Sequence, residues 1–267
     1  FKLSFKGEFG ESSLQYRLFP ESPAEEFDDL ILRADFGTSW RHQSDTSTEG
    51  LGALQRSRAT RTRDAWFKET FRDMGNVAGH NRYFHLFLNG VYWGTYDFTE
   101  QPNNNFAPNY FGGTGDDFDI YEQGALKNGT STAYTTMTGI TGLATNANYE
   151  LMKQYLDVPQ HIDSLIMHLF IGHQDWGGTK NWYAIRKRVS GPLGTYKYIP
   201  WDGENLLLDE NIDRANSPGG YGWPSGLHTK LVDNVQYRLD FADRVHKHMI
   251  ALDGALTPSN NIARWAK

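Results

Sequence analysis

The sequence contains no cysteine. Disulfides, thiol catalysis and cysteine-based zinc sites are thereby excluded, while the compartment stays open, since many secreted proteins also lack cysteine. No stretch reaches the ~18 consecutive apolar residues that a membrane-spanning helix needs. Positive charge is not in excess: 26 Lys and Arg face 32 Asp and Glu, a net of −6. That balance argues against a nucleic-acid partner, and no Lys/Arg run marks an anionic membrane surface. No secretory leader is visible, and the first residue is Phe1 rather than Met. The expectation is therefore a processed or excised piece, with more protein following the helix that starts at Pro258. There is no internal repeat and no low-complexity tract.

What is present is aromatic and glycine-rich: 8 Trp, 14 Tyr, 16 Phe and 27 Gly in 267 residues. Such a chain has enough length for one large domain or two lobes with a substantial core. The pattern predicts an α+β fold. Residues 1–19 read as a hairpin and 29–35 (DLILRAD) as a third strand carrying Arg33. TRDAWFKETFRDMG predicts a helix that Asp64 caps, with Phe67, Phe71 and Met74 on one face and Gly75 at its end. RYFHLFLNGVYWGTYDF is two alternating strands around Asn89-Gly90, a turn that demands positive φ. Residues 101–118 read as a connector between lobes, and 124–146 as a partly mobile segment. DVPQHIDSLIMHLFIG follows helical periodicity with Pro159 in its first turn. A further amphipathic helix is expected over 238–252. The division is an N-terminal β-rich lobe, 1–101, and a mainly helical C-terminal lobe, 102–267.

The chemistry gathers around YKYIPWDGE (196–204). NWYAIRKR and TYKYIPW read as an antiparallel pair centred between Gly191 and Pro192, a register that sets Asn181 opposite Asp202. Asp175, in the glycine-containing loop HQDWGGTKN, lies at the same open end, and Glu204 is close by. Hard oxygen donors of this kind suit Mg²⁺, which takes one or two carboxylates and leaves positions for phosphate oxygens. His168 and His173 are five apart and share no helix face, so they read as ordinary polar or core histidines. The order is helix, loop with Asp, Asn, hairpin, Asp, which is the order protein kinases use for the catalytic Asp and its two metal-binding partners. A plain turn-and-cap reading of the same residues stays open.

RYFHLFLNGVYWGTYDFTEQPNNNF resembles the NG-x-Y-x-G-x-Y…E signature of the CotH family, the spore-coat protein kinases. KNWYAIRKR…YKYIPWDGE is similar to that family's W-x-x-I-P-W-D-x-D stretch, and LFPESPAEEFDDLILRADFGTSW and TRDAWFKETFRDMG add support across about residues 1–250. The resemblance implies a two-lobed, minimal atypical protein-kinase-like fold. It implies ATP-dependent phosphoryl transfer to Ser/Thr of a protein substrate by a bacterial protein that is secreted or on the cell or spore surface. It implies Asp175 as the catalytic aspartate and Asn181 and Asp202 as metal ligands. Where the family often has a second Asp, this chain has Glu204, which puts the second metal contact in question. The expected cofactors are ATP and Mg²⁺, with Mn²⁺ as an alternative, and the expected state is a monomer.

For the cation on the nucleotide phosphates, Arg33 occupies the place of the kinase strand lysine, with Lys2 and Lys6 as competitors. Glu69 or Asp64 could orient it. Glu100, at a strand end near the hinge, is a candidate for the ribose. Trp176, Trp182 and Trp201 flank the acids and read first as core packing. Two other function classes compete: a catalytically quiet surface or adhesin module whose aromatics (including 219–228) bind carbohydrate or a partner protein, and a domain stabilised by a cation at Asp202.

Overall fold

The computed structural model describes residues 1–34, 59–208, 210–215 and 224–266. The loop expected over 37–62 therefore lies largely outside the described residues, as does the first half, 219–223, of the aromatic stretch at 219–228. The described chain is mixed α and β, with two four-stranded antiparallel sheets, one two-stranded sheet and eight α-helices.

The first sheet has the order β1-β4-β6-β5. Its members are β1 (Lys2–Ser4), β4 (Asp29–Arg33), β5 (Asn81–Leu88) and β6 (Val91–Thr99). Asn89 (φ 50°) and Gly90 (φ 79°) make the left-handed two-residue turn that their identities demand. The expected hairpin over 1–19 does not form. β1 pairs with β4 instead, and β2 (Leu14–Gln15) pairs with β3 (Glu26–Phe27). The reason lies in burial: Leu18, Phe19, Phe27 and Leu30 pack together beneath Phe84 and Phe98, which pulls residues 14–27 under the sheet rather than along it.

The second sheet, β10-β9-β7-β8, is built from β7 (Phe118–Glu122), β8 (Ala125–Asn128), β9 (Trp182–Lys187) and β10 (Lys197–Pro200). Both faces are covered along β7, β9 and β10, and strand alternation sorts the side chains. Tyr183 and Ile185 join Phe106, Phe118, Ile120 and Ile199 in one cluster. Trp182 and Ala184 enter the main core on the other face. Residues 124–146, expected as a partly mobile segment, contain β8 followed by α3 (Thr132–Gly139). Between the two sheets, the connector carries α2 (Phe106–Phe111).

The main core surrounds α5 (Val158–Phe170). Asp157 caps it by accepting from Gln160 N, and its Ile162, Leu165 and Ile166 are buried. α4 (Asn146–Lys153), α6 (Gly226–Leu231), α7 (Val235–Val245) and α8 (Pro258–Trp265) complete this part. The helix expected over 238–252 begins three residues earlier and ends in a π-turn over 246–250. α1 (Arg63–Asp73) lies between the two strands of the first sheet's chain, yet its Trp66, Phe67 and Phe71 pack into this same core. Trp66 also stacks on Trp265, 5.4 Å between ring centres, and Arg264 pairs with Asp73 at 2.6 Å. At about 1.5–3 kcal/mol for each fully buried large side chain, this packing fixes α1 against the second half of the chain.

Candidate active site

β10 ends at Pro200 facing Trp182. Continued by one step, that register sets Asn181 opposite Trp201, one residue off the expected pairing with Asp202. The loop between the strands contains a 3₁₀ turn at Pro192–Gly194 and positive φ at Gly191, so it is not the symmetric hairpin the expectation assumed. Beyond Trp201 the chain turns sharply, with Asp202 left-handed at φ 55°. Gly203 permits the turn: a β-carbon there would sit 2.7 Å from Phe67 and 2.9 Å from Leu206.

The turn is fastened to α1. Gly203 N donates to Asp64 Oδ1 at 2.7 Å, and Asp64 Oδ2 pairs with Lys68 one helical turn on, also at 2.7 Å. Asp64 therefore does not cap α1, which starts after Thr62. Lys68 has no solvent exposure. Its ammonium donates to Thr99 Oγ1 at 2.8 Å and lies 4.8 Å from the centre of the Trp201 ring. Arg33, at the end of β4, bonds through Nη2 to Asp202 Oδ1 and to Glu204 Oε1, the latter at 2.5 Å. Its guanidinium lies 5.6 Å from the Trp201 ring.

The charges here tune one another. Burial raises Asp64, but Lys68, Arg33 and the Gly203 N–H outweigh it and hold the carboxyl well below its usual range. Burial opposes the Arg33 charge, but Asp64, Asp202 and Glu204 fix it as a cation. Burial, with Asp202 alongside, keeps Glu204 above the usual range despite Arg33.

Asp175 stands in the loop after α5. His173 Nε2 lies 3.1 Å from its Oδ1, and Asn205 Nδ2 donates to its Oδ2 at 2.9 Å. Gln174 N donates to Asn205 O at 3.0 Å, and Asn181 Nδ2 donates to Asp175 O at 3.0 Å. Asn205 thus ties the loop of Asp175 to the turn of Asp202, and Asn181 braces the same loop. His173 is held in turn by His168, whose ring nitrogen is 2.9 Å away and whose ring stacks on Trp176 at 3.8 Å. Burial and the neighbouring His173 and Arg214 charges push His168 far down, so it is a neutral spacer. Arg214 donates to the His173 and Gln174 carbonyls. Asp175 is lowered: burial raises it, but His173, Asn205 and Lys180 outweigh that.

The structure brings Arg33, Asp202 and Glu204 into direct contact and links them to Asp175 and Asn181 through the 202–205 turn. It does not bring the other candidates there. Lys6 is exposed in the turn after β1. Glu69 is rotated away from Lys68 on α1 and acts on Arg72. Glu100 is buried elsewhere, bonded to His80 at 2.9 Å, Tyr110 at 2.6 Å and Ser22 at 3.2 Å. Sequence reading passed over Lys68, Asn205 and the support His173 gives Asp175. Only the Asp64/Lys68 spacing of four hinted at the first. Trp176 and Trp182 are core residues, while Trp201 is half-buried against the two cations.

Residues 59–264 match the model of the family described as CotH kinase protein. The chain belongs to the CotH family. The match covers Asp64, Lys68, Asp175, Asn181, Asp202 and Glu204, and it begins after Arg33. No curated protein matches the sequence. CotH membership carries a kinase-type transferase class and a spore-coat association as properties of the family. Among the described residues, no helix is long and apolar enough to cross a membrane. Nor do three or more His, Asp or Glu side chains among them form a metal-holding group. A cation at this turn would rest on the Asp202 and Glu204 carboxylates. That donor set fits Mg²⁺ or Mn²⁺ whose remaining positions go to water and phosphate oxygens, and it does not fit zinc.

Proposed function

We propose that this CotH-family chain is a Mg–ATP-dependent kinase that transfers the γ-phosphoryl group to a Ser or Thr hydroxyl of a protein, as a monomer acting in the secreted or spore-surface compartment. The observation that carries this reading is the junction at Asn205. It joins an aspartate held on two sides to a two-carboxylate turn beside two buried cations. Asp202 and Glu204, with Asn181 near, would hold the divalent cation. Bound Mg–ATP supplies the phosphoryl group and an electrophilic phosphorus whose charge the ion offsets. Asp175 remains ionised at neutral pH, so it would align the acceptor hydroxyl and take its proton as the hydroxyl oxygen bonds to the γ-phosphorus and the bond from that phosphorus to the bridging oxygen breaks, leaving ADP. His173 and Asn205 fix the direction of both its oxygens. Lys68 and Arg33 supply positive charge for the phosphates, and Asp64 holds Lys68 and the turn in one geometry.

The test is incubation with γ-labelled ATP, Mg²⁺ or Mn²⁺, and a Ser-rich peptide. Transfer should occur in the wild type and fall by about 10²–10⁴ in Asp175→Asn. Asp202→Ala should lose both transfer and metal-dependent nucleotide binding. Undiminished transfer in Asp202→Ala would overturn the assignment.

One observation favours a second reading as a surface binding module. The tip of the β5–β6 hairpin exposes Phe87, Val91, Tyr92 and Trp93 together, an arrangement suited to stacking on a sugar ring or a partner surface. Glycan binding that survives Asp202→Ala and is lost in Trp93→Ala, with no transfer in the wild type, would select it.

A further inference from the structure

Arg33 touches both proposed metal-binding carboxylates with one nitrogen. Nη2 reaches Asp202 Oδ1 and Glu204 Oε1 together, and the Arg33 side chain is only 10% exposed. A single cationic centre between two carboxylate oxygens is the electrostatic situation that a divalent ion also seeks. Mg²⁺ needs its oxygens at about 2.0–2.1 Å, so an ion bridging those two oxygens would stand where the guanidinium nitrogen now stands and compete with it for them. Two cations a few ångströms apart would also repel, although Asp202 is part-exposed and water screens part of that repulsion. Lys68 is not available as a substitute clasp, because Asp64 and Thr99 already hold its ammonium.

We propose that Arg33 is an exchangeable counter-cation of the metal site: the ion displaces it from Asp202 and Glu204, and the released guanidinium turns to the nucleotide phosphates. This rests on the metal reading given above and adds its regulation. The planar fork of arginine suits both partners, since carboxylates and phosphates accept it in the same two-pronged way. A lysine would serve either less well. The exchange makes metal and nucleotide cooperative. Without phosphates the ion must expel Arg33 with no new anionic partner for it; with them, the arginine regains one. The coupling is reciprocal by linkage. If the clasp is closed ~90–99% of the time, it weakens binding of the ion alone by roughly tenfold to a hundredfold.

The experiment is Mn²⁺ titration of the whole chain by electron paramagnetic resonance, with and without a non-hydrolysable ATP analogue. Wild type should bind Mn²⁺ weakly alone and more tightly with the analogue. Arg33→Met should bind Mn²⁺ alone about tenfold or more tighter than wild type, and the effect of the analogue should shrink. Equal affinity of wild type and Arg33→Met, or no binding by either, overturns the proposal. A second measurement uses wild type only, in case the variant does not fold. An arginine-selective dicarbonyl reagent, with adducts mapped by mass spectrometry, should label Arg33 several-fold faster when Mg²⁺ is added; an unchanged rate at Arg33 overturns the exchange. The two proposals fail separately. Exchange without phosphoryl transfer would sink the kinase reading alone, and transfer with an unresponsive Arg33 would sink this one alone.

Discussion

A methyl group on Gly203 would have to enter space held by Phe67, at 2.7 Å, and Leu206, at 2.9 Å. Phe67 is fully buried against α5 and the rings of His168 and His173, so it has nowhere to go. Gly203→Ala should therefore cost about 1–3 kcal/mol, the usual penalty for overpacking, read as a lower urea midpoint at constant slope. A change within about 0.5 kcal/mol, the level of an ordinary surface substitution, would show that the turn is looser than described. The glycine explains why two acids follow a buried strand with one residue between them. Asp202 and Glu204 both reach Arg33 because the residue between them has no side chain and gives its N–H to Asp64. The motif WDGE was readable as chemistry from the sequence, but the clamp from α1 was not. A lysine in a helix, such as Lys68, looks like a solvated position until Thr99 and Trp201 are known to lie over it.

Elements with strong local signals were legible. α5 shows its apolar spacing and its first-turn Pro159, and the β5–β6 hairpin shows Asn89-Gly90. What local pattern does not carry is partner choice. β1 alternates equally well for any neighbour, and it pairs with β4 because residues 14–27 are drawn beneath the sheet by Leu18, Phe19 and Phe27. The one-residue difference in the β9–β10 register arises in the same way, from a loop whose 3₁₀ turn no alternation reveals. Contacts between helices are equally non-local. Asp163 on α5 is completely buried and binds Arg244 of α7, at 2.6 Å through Nε, with His248 at 3.0 Å and Asn76 at 2.8 Å. Burial would raise this carboxyl, but His248, Arg244 and Asn76 together lower it. Its contribution is thus fully present above the ordinary aspartate value of 3.8 and fades as pH falls below it. Asp163→Ala should destabilise by about 3–5 kcal/mol at neutral pH, because it strands a partly buried arginine. The loss should narrow in acid, where the wild-type carboxylate protonates. A pH-independent loss in urea melts at pH 7 and pH 3 would assign the effect to packing instead.

At the scale of the whole molecule, α1 joins the halves. It is encoded between strands of the first sheet, buries its aromatic face in the second half's core, and presents Asp64 and Lys68 to the turn between them. Cooperative unfolding of both halves is the expected consequence, and the same core contains the groups that set its acid limit. His161, on α5, is 1% exposed and packs against Tyr198; burial lowers it to about 3 from an ordinary 6.5. His168 is lowered as well, by burial and then by His173 and Arg214. Both are neutral in the folded chain and take up a proton on unfolding once pH drops below about 6.5. The unfolded state then binds more protons than the folded one, so stability falls as pH falls. The fall begins below about 6.5 and, for His161, ends near 3, at about 1.4 kcal/mol per pH unit for each histidine. Urea midpoints at pH 7.5, 6, 5 and 4 should therefore decline steadily well before the carboxylates titrate. His161→Leu should remove one histidine's share of that slope while leaving the midpoint at pH 7.5 near or above wild type, since it also removes a buried ring nitrogen, Nε2, that has no hydrogen-bond partner among the described residues. A slope in His161→Leu equal to that of wild type between pH 6 and 4 would mean that His161 is protonated in the folded core.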